Sequence, residues 1–180
     1  MASPLPLMRV PSAPMTLVLS SDPKAAARSA AGWVDSGLSV RVVRGRKMRS
    51  LNGLFDEFAA ALQFPWYFGE NADAFEDCLS DLNWLPPGAG YVVMITQPAE
   101  VLKDAGEGAF QWFVEALERT SQEWAHPVQQ GEWWDRPAIP FHVVLQVESP
   151  GVESASRRWA VAGAQVSPFP CANGPDPTPS

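Results

Sequence analysis

Between Arg49 and Lys103 the chain carries eight acidic residues and neither lysine nor arginine. The densest part reads Phe64-Pro-Trp-Tyr-Phe-Gly-Glu-Asn-Ala-Asp-Ala-Phe-Glu-Asp-Cys-Leu79. Asn71 is a natural helix N-cap, and the spacing predicts a helix from there to about Leu82. On that helix Phe75, Cys78, Leu79 and Leu82 follow the i, i+3, i+4, i+7 pattern of a buried stripe. The opposite side then carries Asp73, Glu76, Asp77, Ser80 and Asp81. Asp73 and Asp77, four apart, stack with Cβ atoms about 5–6 Å from each other, which costs an isolated helix a few tenths of a kcal/mol. Glu70 and Asp73 recover something from the helix N-terminus, but Glu76, Asp77 and Asp81 lie too far along. Such a face is either a solubilising surface or a charged one held ready for a cationic partner.

Other residues with chemical potential are few. The only histidines are His126 and His142, and the only cysteines Cys78 and Cys171. His142 alternates with core positions of an expected strand, and His126 precedes Pro127 in an expected loop, so acid–base catalysis has little support. Cys78 faces the core by the helix count, where a thiol is inert, and Cys171 has no base beside it. Two cysteines make no disulfide framework, and no Cys/His spacing suits zinc. Asp73, Glu76 and Asp77 could together approach Mg²⁺, but no glycine-rich phosphate loop or basic residue accompanies them. The expectation is a protein that is not an enzyme and uses no cofactor.

The 180 residues, 46% hydrophobic, suffice for one packed domain with appendages. The formal net charge of −7 disfavours direct nucleic-acid binding. Five cations crowd into Arg41, Arg44, Arg46, Lys47 and Arg49, read as a solvated strand edge and turn in preference to a nucleic-acid contact. No apolar run is long enough to span a bilayer, and the proline-rich first twenty residues lack a signal-peptide pattern, so a cytoplasmic protein is expected. Strand-like and helix-like segments alternate: a strand over Thr16 to Leu19, a helix from Asp22-Pro23 to Gly37, a strand over 38–43 and a helix over 52–63. After the acidic helix come a buried strand over Tyr91 to Thr96, a long helix from about Asp104 to Trp124, and a last strand over Phe141 to Val147. That alternation predicts an α/β fold with a short, mainly parallel sheet. Residues 1–14 are expected to be flexible, 15–37 to form an N-terminal strand–helix extension, 148–166 a C-terminal extension, and 167–180 a disordered proline-rich tail.

Pro65 to Leu79 resembles the signature of the barstar family of ribonuclease inhibitors. The resemblance extends to Val43-Arg-Gly-Arg-Lys-Met-Arg-Ser50, to Gln111-Trp-Phe-Val-Glu115 and to Phe141-His-Val-Val-Leu-Gln146, about residues 38–147 in all. It implies a barstar-like sheet packed with helices, and an intracellular inhibitor that blocks the basic cleft of a ribonuclease with carboxylates standing in for RNA phosphates. The implied contact residues are Tyr67, Asn71, Ala72, Asp73, Glu76, Asp77, Ser80, Asp81 and, from the later helix, Glu115, with Asp77 ranked first. The implied partner is a basic ribonuclease or related nuclease toxin in a 1:1 complex, without direct nucleic-acid or membrane contact.

This chain departs from the family's founding member in having Glu76 for an aromatic residue, Asp81 for a glycine and Phe68 for a tyrosine. Trp84 stands near, but offset from, an interface tryptophan of the family. Residues 120–140, with Trp124, Trp133, Trp134 and Arg136, are expected as an insertion, either a lid over a sheet edge or a second contact surface. The alternative function is an immunity or adaptor protein of the same fold that binds another cationic toxin or protein.

Overall fold

The computed structural model describes residues 5–12, 15–86, 88–106 and 108–169. Five parallel strands form one sheet: β1 (Thr16–Ser20), β2 (Ser39–Arg44), β3 (Tyr91–Thr96), β4 (Phe141–Val147) and β5 (Val166–Pro168), in the spatial order β2-β3-β4-β1-β5. The helices are α1 (Leu5–Met8), α2 (Pro23–Asp35), α3 (Leu51–Leu62), α4 (Ala72–Asp81), α5 (Ala109–Trp124) and α6 (Val152–Val161). The fold is α/β with a parallel sheet, as the alternation of segments predicts.

Both faces of the sheet are covered, which is why β3 and β4 read as continuous apolar runs. On one face Val93, Ile95, Val143 and Leu145 meet α3 through Phe55 and Phe58, α4 through Phe75, α5 through Phe113 and α6 through Trp159. On the other face Val92, Met94 and Val144 meet Trp33 of α2, Met8 of α1 and Phe169. The first core is an aromatic lattice: Phe75 lies 5.1 Å from Phe58 and 5.8 Å from Phe55, centroid to centroid, with Trp112 and Phe113 beyond. Edge-to-face pairs of this kind add about 0.5–1.5 kcal/mol each beyond area burial. They fix α4 against α3 and α5.

Local sequence sets most boundaries. Asp22 accepts from the Lys24 and Ala25 N–H groups and Pro23 opens α2, while Gly37 ends it with φ +92°. Ser50 caps α3, and Gln63 closes it in the left-handed region. At the β2 edge, Glu57 of α3 accepts two hydrogen bonds from the Arg44 guanidinium, at 2.7 and 2.9 Å, and one from its backbone N–H. Arg49 pairs with Asp104 and Glu100. Two of the five clustered cations are thus held in ion pairs, and the cluster does lie at a sheet edge and turn.

Several expectations need correction. The long helix begins at Ala109, not near Asp104: Asp104 is held by Arg49, and Gly108 at φ +85° breaks the path before the helix. Residues 148–166, expected only as an extension, contain a 3₁₀ turn (Ser149–Gly151) leading into α6 with the fully buried Trp159, a helix not expected from the sequence. The expected disordered tail starts too early, because Ser167 and Pro168 belong to β5 and Phe169 is buried. Pro168 is tolerated there because β5 is an edge strand. The expected flexible N-terminus contains α1, whose Met8 is buried. The rest of both expected loose ends, residues 1–4, 13–14 and 170–180 with Cys171, lies outside the described residues.

Where β1, α5 and β5 meet, Glu118 is buried and accepts on Oε1 from the Thr16 hydroxyl at 3.2 Å and the Gln165 N–H at 3.1 Å. Burial pushes its carboxyl above the usual glutamate range, against the pull of these two bonds. A raised acid pKa means that the folded state holds the proton more tightly than the unfolded one. Stability therefore falls as pH rises from the ordinary glutamate value through the raised one. Glu118→Gln keeps the acceptor oxygen and removes the charge. The variant is expected to be more stable than the parent by about 1 kcal/mol at pH 8, with the pH dependence in that window lost, as measured by urea unfolding at several pH values.

Candidate partner-binding face

The segment from Pro65 to Leu82 is built to present one side of a helix. Asn71 accepts from the Ala74 N–H at 3.0 Å and donates to the Gly69 carbonyl at 3.1 Å, tying the loop to the first turn of α4. Phe75, Cys78 and Leu79 are buried, and Leu82 ends the helix in the left-handed region. Trp124 of α5 donates its indole N–H to the Leu79 carbonyl at 2.8 Å.

The acids of α4 divide into two sets. Glu76, on the flank toward α5, accepts from the Trp112 indole at 2.9 Å and the Arg119 guanidinium at 2.8 Å. Burial pushes its pKa up, but these bonds and the Arg119 charge outweigh that and leave it below the usual range. Ser80, one turn on, donates to Glu123 at 2.6 Å. The cation for Glu76 comes from a helix more than forty residues away in sequence. Asp73, Asp77 and Asp81 form the second set. They are exposed, spaced i, i+4, i+8 on one stripe, and no described residue forms an ion pair with them.

The remaining expected residues distribute unevenly around this stripe. Ala72 is half-buried in the first turn. Tyr67 is 70% exposed at the N-terminal end of α4. Glu115 is exposed on α5 and bonded by Gln111, but its Cγ lies 3.9 Å from the position of a Cβ built on Gly163. Its stem thus lies beside the turn after α6, and on α5 it stands between Trp112 and Arg119, both bonded to Glu76 of α4. Trp84 donates to the Leu62 carbonyl and packs edge-on against Phe64, a structural role. Cys78 is buried, and burial together with Asp77 and Asp81 raises its thiol pKa.

Sequence reasoning missed Trp66. It is 95% exposed and meets Tyr67 edge-on at 5.8 Å. An apolar ring of that size left in water beside an acidic stripe suits a protein interface. The loop after α5, expected as an insertion, is pinned by Arg136, which lies 4.0 Å over the Trp124 ring, and by Asp135, which accepts from the Gln130 and Gly131 N–H groups. Trp133 and Trp134 meet edge-on and are 87% and 48% exposed.

The sheet is parallel and covered on both faces, and the outer carboxylates of α4 have no ion-pair partner among the described residues. Residues 38–146 match the sequence model of the family described as Barstar (barnase inhibitor). The chain belongs to the barstar family. No curated protein matches it.

The division of the acids has a thermodynamic signature. Asp77→Asn relieves repulsion with Asp73 and Asp81, so it is expected to raise stability by a few tenths of a kcal/mol at low salt, with the gain fading at high salt. Glu76→Ala removes an acceptor from Trp112 and Arg119 and is expected to lower stability. Thermal unfolding of both variants at two salt concentrations checks the pair; a loss of stability on Asp77→Asn contradicts the assignment of an unpaired stripe.

Proposed function

We propose that the protein is a cytoplasmic inhibitor of a basic ribonuclease and occupies the enzyme's phosphate-binding cleft with the Asp73–Asp77–Asp81 stripe of α4. The observation that carries this reading is the isolation of these three carboxylates. The same helix supplies Glu76 and Ser80 to internal partners, yet its outer row has none among the described residues. Membership of the barstar family supports the reading, because the family is described by its inhibition of barnase.

A ribonuclease holds RNA phosphates with cationic side chains, so its cleft is positive. Carboxylates on a rigid helix accept the same hydrogen bonds, bidentate where arginine donates. The lattice around Phe75 and the cap at Asn71 hold the stripe before the partner arrives, which reduces the ordering cost of association. Complementary fields speed encounter at low salt. Trp66 and Tyr67 supply exposed aromatic area, the kind of side chain that carries much of the binding energy when an interface buries it.

Titration of ribonuclease activity in extracts of the source cell with the purified protein is expected to abolish a basic ribonuclease stoichiometrically, at 1:1. Asp77→Ala is expected to weaken the complex by about 2–5 kcal/mol, the scale of truncating one partner of a desolvated charge pair. Added salt slows association of the parent more than of the variant. If extract ribonucleases keep full activity at every inhibitor concentration, the inhibitor reading is wrong.

The second reading is an immunity or adaptor protein for a different cationic partner. The exposed Trp133 and Trp134 on a pinned loop favour it, since they contribute little to this chain's own core. Recovery of a basic protein without ribonuclease activity, retained at low salt and released at high salt, is the result expected under that reading.

A further inference from the structure

At the carboxyl ends of the strands lies a cleft of about 800 Å³ that the inhibitor reading leaves unused. Its place follows from the winding of the sheet. Strands β1 and β4 are neighbours, but the chain leaves β1 into α2 on one face and β4 into α6 on the other. Two adjacent strands whose following helices diverge leave a crevice between them, the position where open parallel sheets take ligands. Here Pro23 at the start of α2 and Gly151, Ser154 and Ala155 at the start of α6 form two of its walls. Neither α2 nor α6 falls within the residues that match the family, 38–146.

The chemistry of the lining is uneven. Pro98, Ala155 and Val147 give apolar walls, and Gln146, only 4% exposed, lies among them with its amide N–H turned to the Ser21 carbonyl. Arg44 and Arg46 stand at the rim. They reach it because Gly45 packs directly beneath the Gln97 carbonyl, where a Cβ would sit 2.1 Å from that oxygen. Arg44 is committed to Glu57, whereas Arg46 is exposed and forms no ion pair with a described residue. Two carboxylates also line the rim. Glu100 is neutralised by Arg49 and Lys103, and Glu148 is exposed and forms no ion pair with a described residue. The size falls within the usual 300–1,000 Å³ of small-molecule sites, and apolar walls with a few polar groups match their usual make-up.

We propose that this cleft binds a mononucleotide, its apolar walls taking the base and Arg46 the phosphate. Arginine suits that role because its planar fork matches a phosphate bidentately. The Gln146 and Glu148 side chains offer acceptors for sugar hydroxyls or base amino groups. The site is independent of the α4 stripe, so a nucleotide and a protein partner address different parts of the molecule.

Calorimetric titration of the full chain with ADP, pyrophosphate and adenosine tests the proposal. ADP is expected to bind saturably at one site, more tightly than either fragment. Arg46→Ala is expected to weaken ADP by about tenfold, the scale of one lost charge-assisted contact. Ser154→Trp, at an exposed rim position, is expected to fill the cleft and abolish binding while the circular dichroism spectrum and melting temperature stay those of the parent. Asp77→Ala is expected to leave ADP binding unchanged, whatever its effect on ribonuclease inhibition. The proposal is overturned by absence of saturation up to about 5 mM ADP, or by ADP binding that neither Arg46→Ala nor Ser154→Trp alters. Pyrophosphate bound as tightly as ADP, or adenosine bound as tightly as ADP, overturns the nucleotide assignment.

Discussion

The seam between α4 and α5 decides what the acidic helix can do. Where Glu76 meets Trp112 and Arg119, one carboxylate is drawn into the structure and the helix is fixed in rotation about its axis. The bonds from Trp124 to the Leu79 carbonyl and from Ser80 to Glu123 hold the rest of its length. With rotation fixed, the i, i+4, i+8 spacing places Asp73, Asp77 and Asp81 outward together. A charged face is useful for recognition only if its geometry outlasts its own repulsion. Here aromatic packing on the buried side supplies that persistence.

Around this seam the chain has two electrostatic ends. The outer row of α4 is uniformly negative, whereas the carboxyl ends of the strands gather Arg44, Arg46, Arg49 and Arg158 among a few acids. Arg158 does not reach solvent freely: it donates to the Pro98 and Val101 carbonyls and lies 3.6 Å over the Phe110 ring, clamping α6 to the turn after β3. The elements outside the residues that match the family model thus do more than widen the sheet. They cover its second face and build a rim at the end remote from the loop that carries Trp133.

Much of this was legible from residue order. The strands at 16, 91 and 141 and the caps at Asp22 and Asn71 follow from local rules of periodicity and hydrogen bonding, and the α/β class follows from their alternation. The outward direction of Asp73 and Asp77 follows from the same helical count that buries Phe75 and Leu79. What escaped was non-local or weakly patterned. Arg119 cannot be assigned to Glu76 by spacing, because the pair is made by tertiary packing. Trp66 could have been noticed, since it sits outside any buried periodicity, but exposure is a property of the folded surface. Residues 152–161 carry a short, weakly apolar helical pattern, and Val166 to Pro168 become a strand only because β1 offers its edge. Glu115 was aligned through a resemblance of its helix, and it stands on α5 between Trp112 and Arg119, the two residues that bond Glu76.

The placement of β1 has a consequence for how the molecule comes into being. It sits between β4 and β5, so its residues Thr16 to Ser20 have no lateral partner until Phe141–Val147 and Val166–Pro168 have been synthesised. Pairings of such wide sequence separation form slowly, because the entropy of closing the loop is lost before any contact compensates for it. The first strand of the sheet in chain order is thereby among the last to find its neighbours, because both of them are its most distant partners in sequence.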